Sequence, residues 1–305
     1  MSKHKKVVKM RVLVTGGSGA IGSKFIQKFL SSGHQVFFTY HSHICHIKGA
    51  IGYMQDVCDG RLMARLIENV RPDWIIHTAA LTDMDICERN NGLADKINAE
   101  GTANIVTAAR QTGSKVAYIS TVAVFGGDER VVVSDESVPN PVNYYGLTKL
   151  KGEKIVSDSG LSFLILRTDQ PYCWLESWQR KNTVVRVLEK LASGEPVKEV
   201  VDWFNQPTFA DNFVDIAISL IERNRDGVYN IAGPDFISRY QFACKIAEIF
   251  DKDVDMIEPI KSSELNLPAK RSHVKLDSSK VQKETGKKVV GVDEGLKTMK
   301  MSQLH

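Results

Sequence analysis

What the 305-residue sequence lacks already narrows its class. No apolar run approaches the roughly 20 residues that a membrane-spanning helix requires, so no membrane association is expected. The tail Met1 to Lys9 is basic but has no apolar core, so it is not expected to be a secretory signal. The five cysteines form no CxxC pair, which favours reduced thiols in a cytoplasmic protein over a disulfide framework.

The charge balance lacks the excess that would indicate a nucleic-acid partner. The formal net charge is +4, and lysines of the tail supply much of it, which leaves the body of the chain close to neutral. Hydrophobic residues make up 43% and charged residues 25% of the chain, which is ordinary for a soluble globular protein and argues against disorder or a coiled coil. There is no internal repeat and no low-complexity segment.

The first half of the chain alternates short apolar runs with amphipathic stretches. The predicted strands are 10–15, 35–40, 51–55, 73–77, 115–120 and 162–167. The predicted helices are a segment after the glycines that ends at Gly33, then 61–70, 95–111 and 144–158. Strands that alternate with helices predict an α/β fold with a doubly wound parallel sheet. Residues 10–167 are therefore predicted to form a Rossmann dinucleotide-binding domain, preceded by the basic tail 1–9.

The alternation loosens after Arg167. Residues 168–305 are predicted to form mainly a smaller, substrate-binding lobe, with helices near 183–192, 240–250 and 291–301. A strand near 228–231 is expected to return to the main sheet, which would make the lobe discontinuous in sequence.

A glycine-rich turn stands between the first strand and the first helix. Glycines permit a tight turn and a close backbone approach to a pyrophosphate, whose charge is favoured by free N–H groups at a helix N-terminus. In this strand-turn-helix context a cofactor site is favoured over a ligand-free connection. The residues predicted to bind the cofactor here are Gly16, Ser18, Gly19, Ala20, Ile21 and Gly22.

The end of the second strand bears on the choice of cofactor. NAD-specific sites place an acid about 20 residues after the glycines to hold the ribose hydroxyls, whereas this chain has His41 and Ser42. The absence of an acid favours NADP(H), whose additional phosphate would be repelled by a carboxylate and could be met by Ser42, a histidine or Lys48. NAD(H) is kept as the alternative, because no arginine clamp is evident. His43 and His46 stand nearby without a further ligand set, so no metal site is predicted.

Tyr145 and Lys149 lie one turn apart on the predicted helix 144–158 and therefore on one face. Alone, this spacing describes a solvated neighbour pair equally well. Reduction of a ketone leaves charge on oxygen, so a proton must be delivered. A tyrosine, with an ordinary pKa of about 10, can deliver it if a lysine charge lowers that pKa. Within a dinucleotide-binding fold the pair predicts Tyr145 as proton donor and Lys149 as its activator.

Three motifs in this order resemble the extended short-chain dehydrogenase/reductase family: TGGSGAIG at 15–22, ISTVAVFG at 119–126 and YGLTK at 145–149. Four further stretches are similar to the dTDP-4-dehydrorhamnose reductases: AALTDMDICE at 79–88, INAEGT at 97–102, NQPT at 205–208 and PAKRSHVKLD at 268–277. The likeness covers nearly the whole chain from Met10. It implies NAD(P)H-dependent reduction of the C4 ketone of a nucleotide-linked 6-deoxy-4-ketohexose, in sugar-nucleotide biosynthesis.

The resemblance also implies roles for single residues. Thr121 would hydrogen-bond the substrate oxygen, and Lys149 would bind the nicotinamide ribose in addition to assisting Tyr145. Further cofactor contacts are implied for Asp56 and Val57 at the adenine, for Ala79 and Ala80 along the channel, and for Ser120 and Tyr145.

Substrate contacts are expected from the second half of the chain and from the stretch after Ala80. The resemblance implies that Thr82 and Met84 face the substrate, although Met84 fits a core position equally well. Arg271 could bind the substrate diphosphate, because a guanidinium matches phosphate oxygens in a fork; a surface salt bridge is the alternative. The catalytic threonine, Thr121, also belongs to this substrate set.

Two departures from the family pattern concern the substrate. The reductases usually carry Arg-Thr-Ser-Trp after the sixth strand, whereas this chain has Asp169 and Gln170 at the last two positions. Gln170 thus occupies the place of the tryptophan expected against the sugar, unless Trp174 takes over that role. The sugar, its nucleotide and the product stereochemistry are therefore left open.

Other functions of the same family remain as alternatives. Dehydratases place an Asp-Glu pair after the catalytic threonine, and Val122 and Ala123 occupy these sites, which argues against dehydration. Epimerases normally carry the acid after the second strand that is absent here. A non-catalytic regulatory subunit, like the β-subunits of methionine adenosyltransferase, is disfavoured by the intact Thr121, Tyr145 and Lys149. A homodimer is compatible with the sequence, but no predicted surface helix has the features of an interface.

Overall fold

The structure is a computed structural model that describes residues 9–128 and 131–303. The predicted tail therefore lies outside the described residues, except for Lys9. The strands, in chain order, are β1 (Arg11–Thr15), β2 (Gln35–Tyr40), β3 (Ile51–Met54), β4 (Trp74–His77), β5 (Lys115–Thr121), β6 (Val132–Val133), β7 (Phe163–Thr168), β8 (Pro171–Tyr172), β9 (Val197–Val200), β10 (Phe204–Asn205), β11 (Thr208–Phe209), β12 (Gly227–Asn230), β13 (Ile237–Ser238), β14 (Ile257–Ile260) and β15 (Lys275–Leu276).

The helices lie between these strands and after them. In chain order they are α1 (Ala20–Ser31), α2 (Gly60–Val70), α3 (Met84–Arg89), α4 (Asn91–Asp95), α5 (Gly101–Thr112), α6 (Tyr144–Ser157), α7 (Thr183–Ala192), α8 (Ala210–Glu222), α9 (Arg239–Ile249), α10 (Ser279–Thr285) and α11 (Val292–Ser302). A π-helical turn, Lys96–Glu100, joins α4 to α5. Within residues 9–128 and 131–303, no helix combines the length and the apolar character needed to cross a membrane.

A seven-stranded sheet in the order β12-β7-β5-β4-β1-β2-β3 organises the molecule, and all its pairings are parallel. The predicted doubly wound α/β sheet is thus confirmed. The chain moves outwards from β1 on one side and from β4 on the other, which creates a switch point between these two strands. Ligands of such sheets bind outside the carboxyl ends of the strands at that point.

Both faces of this sheet are covered, because alternate side chains of each strand point to opposite faces. Val12 and Val14 pack with Phe25 of α1 and Phe213 of α8, whereas Leu13, between the two valines, packs on the opposite face with helices α2 and α5. Burying one such apolar side chain contributes about 1.5–3 kcal/mol. The two layers therefore fix which way each strand faces.

A separate core lies in the second half of the chain. Helices α7, α9 and α11 meet there through Val187, Ile246 and Leu296, all fully buried. The chain reaches this core from the carboxyl end of β7. The division of the chain near residue 167 into a cofactor domain and a substrate lobe stays a prediction.

Some elements of the structure were not predicted from the sequence. Helix α8, in which nine of the thirteen residues are buried and which packs with α1 and the sheet, was not among the predicted helices. The predicted single helix 95–111 is interrupted by the π-helical turn. The two-residue pairings, such as β10 with β13 and β8 with β11, are too short for a periodicity signal.

Candidate active site

The glycine turn fits a pyrophosphate. Gly16 has a φ of +65°, and a Cβ there would lie 2.8 Å from the Cα of Ala79, so only glycine allows β1 and the segment after β4 to approach this closely. Gly19 caps helix α1 without a side-chain hydrogen bond, and the first turn of α1 has no acidic residue. The N–H groups there are therefore suited to an anion.

Three other residues predicted around the turn are partly accessible. Ser18, Ala20 and Ile21 are half-buried. The main-chain carbonyl of Ser18 accepts hydrogen bonds from Trp178 Nε1 at 3.4 Å and Gln179 Nε2 at 2.9 Å. A segment from the second half of the chain thus contacts the glycine turn directly, and its side chains border the predicted cofactor site.

The predicted adenine end is more open. His41 and Ser42 are exposed after β2, and His41 Nε2 lies 3.6 Å from the carboxylate of Asp56. Asp56 also accepts the main-chain N–H of Cys58 at 2.9 Å. Val57 is buried, with its side chain in the core against α5. Of the residues predicted for this end, His41, Ser42 and Asp56 therefore present polar groups on the surface.

Helix α6 carries Tyr145 to the end of β5. Asn143 caps the helix, with Oδ1 accepting the N–H of Gly146 at 2.8 Å. A Cβ at Gly146 would lie 1.9 Å from the carbonyl oxygen of Ala123, so the helix touches the turn that follows β5. Tyr145 and Thr121 are each 8% exposed, and the Thr121 side chain is close enough to that of Tyr145 to lower its pKa. The predicted donor and the predicted substrate-binding hydroxyl are brought together.

The electrostatics around Tyr145 differ from the expectation. The sequence predicted that Lys149 lowers the pKa of Tyr145. In the structure, burial raises the pKa of Tyr145 above its ordinary value, and the polar side chain of Thr121 opposes that rise. The Lys149 ammonium lies over the ring of Tyr118, 3.9 Å from its centroid. Burial lowers the pKa of Lys149 to about 7, and the carboxylate of Glu153 acts in the opposite direction.

A buried ionic network lies one helical turn beyond Lys149. Glu153 accepts Nε and Nη2 of Arg167 at 2.9 and 2.7 Å, and it accepts the hydroxyl of Ser120 at 2.6 Å. Ser120 was predicted as a cofactor contact, and its hydroxyl hydrogen is directed to this carboxylate instead of an open cleft. Glu153 was not among the predicted site residues, although its four-residue spacing from Lys149 places it on the same helix face.

The predicted substrate residues are only partly brought together. Met84 packs in the apolar cluster that contains Tyr145, and Thr82 nearby is exposed. Arg271 Nη2 lies 2.9 and 2.8 Å from the two carboxylate oxygens of Asp85, which is the salt bridge that the sequence left as the alternative to diphosphate binding. The pair joins the C-terminal part of the chain to α3.

Gln170 follows the carboxyl end of β7 in a left-handed conformation, with a φ of +39°. Its Nε2 donates to Thr183 Oγ1 at 3.0 Å, and its buried Oε1 has no hydrogen-bond partner among the described residues. A non-glycine residue with positive φ is uncommon and requires support from its surroundings. The turn therefore orients the end of β7 towards α7.

Asp169, beside Gln170, was not among the predicted site residues. It is 6% exposed, and its carboxylate accepts the main-chain N–H of Gln206 at 2.7 Å. Burial raises the pKa of Asp169 to about 6, and the hydrogen bonds from Gln206 and Asn205 oppose that rise. Its charge also contributes to raising the pKa of Tyr145. An acid directly after a buried parallel strand was the signal that could have identified it.

Comparisons with known proteins agree with this geometry. The family model described as RmlD substrate binding domain matches residues 10–303. A crystal structure of a hypothetical dTDP-4-dehydrorhamnose reductase from Sulfolobus tokodaii is 34% identical, with a TM-score of 0.81, over 94% of this chain and 99% of that one.

Two further relatives differ in their described roles. The dTDP-4-dehydrorhamnose reductase from Bacillus anthracis, solved in complex with NADP, is 25% identical, with a TM-score of 0.86, over 97% of this chain and all of that one. Methionine adenosyltransferase 2 subunit beta from Rattus norvegicus is 26% identical over 89% of this chain and 81% of its own length. The similarity therefore extends to a protein named as a catalyst and to one named as a subunit.

Proposed function

The chain belongs to the RmlD substrate-binding domain family, and on that premise we propose that it is an NAD(P)H-dependent reductase of a nucleotide-linked 4-keto-6-deoxyhexose. The observation that carries the proposal is that Thr121, at the carboxyl end of β5, and Tyr145, on α6, are buried side by side, with Lys149 one turn further along the same helix. A ketone oxygen placed between these two hydroxyls would meet one hydrogen-bond donor and one proton donor.

NADP(H), the preferred cofactor, would supply the hydride to C4 of the sugar when bound, with NAD(H) as the alternative. The glycine turn from Gly16 to Gly22 would hold its pyrophosphate, and His41 and Ser42 would stand near its adenosine. Lys149 would bind the nicotinamide ribose. The close approach of Gly16 to Ala79 and the first turn of α1, which has no side-chain cap and no acidic residue, support this placement.

Tyr145 would transfer the proton of its hydroxyl to the ketone oxygen, which becomes the product alcohol. Thr121 would hold that oxygen by a hydrogen bond before and after the transfer. The tyrosinate that remains is disfavoured by burial, so a nearby positive charge is needed until solvent returns the proton. We assign that charge to Lys149.

Substrate binding would involve Thr82, Met84, Gln170 and Arg271 around this pair. Arg271 would have to exchange the carboxylate of Asp85 for the substrate diphosphate, because its fork is engaged by that residue in the structure. Gln170, in place of the family tryptophan, would make the sugar contact polar. We also propose that the protein works in the cytoplasm and that it forms a homodimer. Sedimentation of the purified protein tests the homodimer.

Neither alternative enzyme function has support at this site. Val122 and Ala123 are buried and apolar after Thr121, so the acid and base that dehydration requires are missing there. The regulatory function of the methionine adenosyltransferase relatives is the stronger alternative, because the sequence similarity to them is as high as to several reductases.

The test is a screen of 4-keto sugar nucleotides, including dTDP-4-dehydrorhamnose, against NADPH and NADH in parallel, followed at 340 nm, the nicotinamide absorbance. Oxidation of NADPH that depends on one of these substrates supports the reductase. Tight cofactor binding without turnover of any 4-keto sugar nucleotide would favour the regulatory subunit.

A further inference from the structure

A fully buried aromatic ring lies under the ammonium of Lys149. Tyr118, on β5, is 1% exposed, and its ring centroid is 3.9 Å from Lys149 Nζ. A cation at this distance from a ring face is attracted by the negative centre of the π system, and the attraction is largest where water is excluded. Lys149 is itself 3% exposed.

Helix α6 leaves room for this ring at Gly152. A Cβ at Gly152 would lie 2.1 Å from the Tyr118 hydroxyl and 2.6 Å from its Cζ, so any side chain at that position would displace the ring. Gly152 is three residues after Lys149 on the same helix face. Glycine costs about 1 kcal/mol in a helix interior relative to alanine, and the room it leaves for Tyr118 accounts for its presence.

A second buried ring contacts Tyr118. His77, on β4, packs against Tyr118 with ring centroids 5.6 Å apart. Its two nitrogens lie 2.7 Å from Thr15 Oγ1 and 3.1 Å from Thr102 Oγ1. Burial lowers the pKa of His77 to about 3, so at neutral pH the imidazole is uncharged and does not repel Lys149.

The groups that face Lys149 leave its charge weakly compensated. Glu153, on its own helix, raises the pKa of Lys149, but that carboxylate is already bonded to Arg167 at 2.7 Å. Tyr145 on α6 and Tyr118 on β5 both have their pKa raised by burial, so both are neutral phenols at pH 7. His77 is neutral as well. The face of Tyr118, with its centroid 3.9 Å from Nζ, is thus a group that favours the ammonium without a charge of its own.

From this geometry we propose that Tyr118 is a positioning residue for Lys149: its ring face holds the ammonium under α6 and keeps it protonated. The inference deepens the proposed reductase function, on which its kinetic consequence rests. The hydroxyl of Tyr118 donates to the main-chain carbonyl of Lys149 at 3.4 Å, which is a bond to the backbone of the helix, whereas the ring face contacts the ammonium. Phenylalanine should therefore replace Tyr118, and a non-aromatic side chain should not.

The test uses full-length protein labelled with ¹³C in its lysines, with the ε-methylene signal of Lys149 assigned by its loss in Lys149→Met. In the wild type we expect this signal to be shifted upfield by the ring and to titrate near neutral pH. Tyr118→Phe should keep both properties. Tyr118→Met, which fills the space flexibly, should lose the ring shift and lower the pKa of Lys149 by about half a unit to one unit.

Gly152→Ala is a second test if Tyr118→Met does not fold, because this variant keeps the Tyr118 ring but moves it away from Lys149. Retention of the upfield shift and of the wild-type pKa in a folded Tyr118→Met or Gly152→Ala would overturn the proposal.

In the coupled assay we expect Tyr118→Met to lower kcat about three- to tenfold at pH 7.5, with Tyr118→Phe near wild type. Absence of any turnover would count against the reductase and leave the nuclear magnetic resonance result intact.

Discussion

Glu153 and Arg167 form a forked ion pair, with two N–O distances of 2.9 and 2.7 Å, and their side chains are only 5% and 4% exposed. The pair joins helix α6 to strand β7 behind the candidate active site. Arg167 also lies over the ring of Phe125, 4.9 Å from its centroid. Two charges removed from water in this way depend on each other.

Removal of one partner should therefore be costly. We expect Glu153→Gln to lower the free energy of unfolding by about 3–5 kcal/mol, because Arg167 keeps its buried charge without a counter-ion. Urea unfolding measures the change. The control is Glu189→Gln, which breaks the exposed pair with Lys181 and should cost about 0.5 kcal/mol or less. Equal losses in the two variants would show that burial of the first pair does not matter.

Tyr145→Phe tests the proton donor. We expect kcat for the ketone substrate to fall by about 10² to 10⁴, as for loss of a general acid, while the dissociation constant of NADPH stays near that of the wild type. Tyr144→Phe is the matched control, because the neighbouring hydroxyl bonds Asp95 at 2.6 Å and not the catalytic pair. A Tyr145→Phe enzyme with wild-type kcat would remove Tyr145 from the mechanism.

Gly146→Ala tests the contact between α6 and the turn after β5. The new Cβ would lie 1.9 Å from the carbonyl oxygen of Ala123, so the start of the helix must move and carry Tyr145 away from Thr121. We expect a loss of about 10-fold or more in kcat together with a lower melting temperature. Gly92→Ala, where nothing lies within 4 Å of the added Cβ, should be tolerated and could add up to about 1 kcal/mol.

Asp169 should make stability depend on pH with a definite sign. Its pKa in the folded protein is raised to about 6, above its value of about 3.9 in an unfolded chain. The folded state therefore binds more protons between these values, and this contribution to stability is lost as the pH rises from about 4 through about 6. The full loss amounts to about 3 kcal/mol.

The measurement compares wild type with Asp169→Asn, which does not titrate, by urea unfolding from pH 4 to pH 7. We expect the stability of the wild type relative to Asp169→Asn to decrease over this range. The comparison cancels the opposite contributions of buried histidines such as His77, whose folded pKa is lowered. A constant difference between the two proteins would mean that the pKa of Asp169 is not raised.

Much of the fold could be predicted because it follows from short-range patterns in the sequence. The alternation of apolar runs and amphipathic stretches predicted the parallel sheet, and the glycines between β1 and α1 predicted the cofactor turn. Tyr145 and Lys149 could be paired because a helix places residues four apart on one face. Helix α8 was not predicted; it lies after Arg167, where the alternation of strands and helices loosens.

The sequence by itself thus determined the fold class, the family and the order of the chemical groups along the chain. Only the tertiary structure decided which groups surround them. Tyr118 and Lys149 are 31 residues apart and meet because Gly152 lets a ring from β5 pack against α6. Arg271 and Asp85 are 186 residues apart. Burial and the approach of distant charges set the protonation of Tyr145, Lys149 and Asp169, and neither quantity can be obtained from the spacing of residues along the chain.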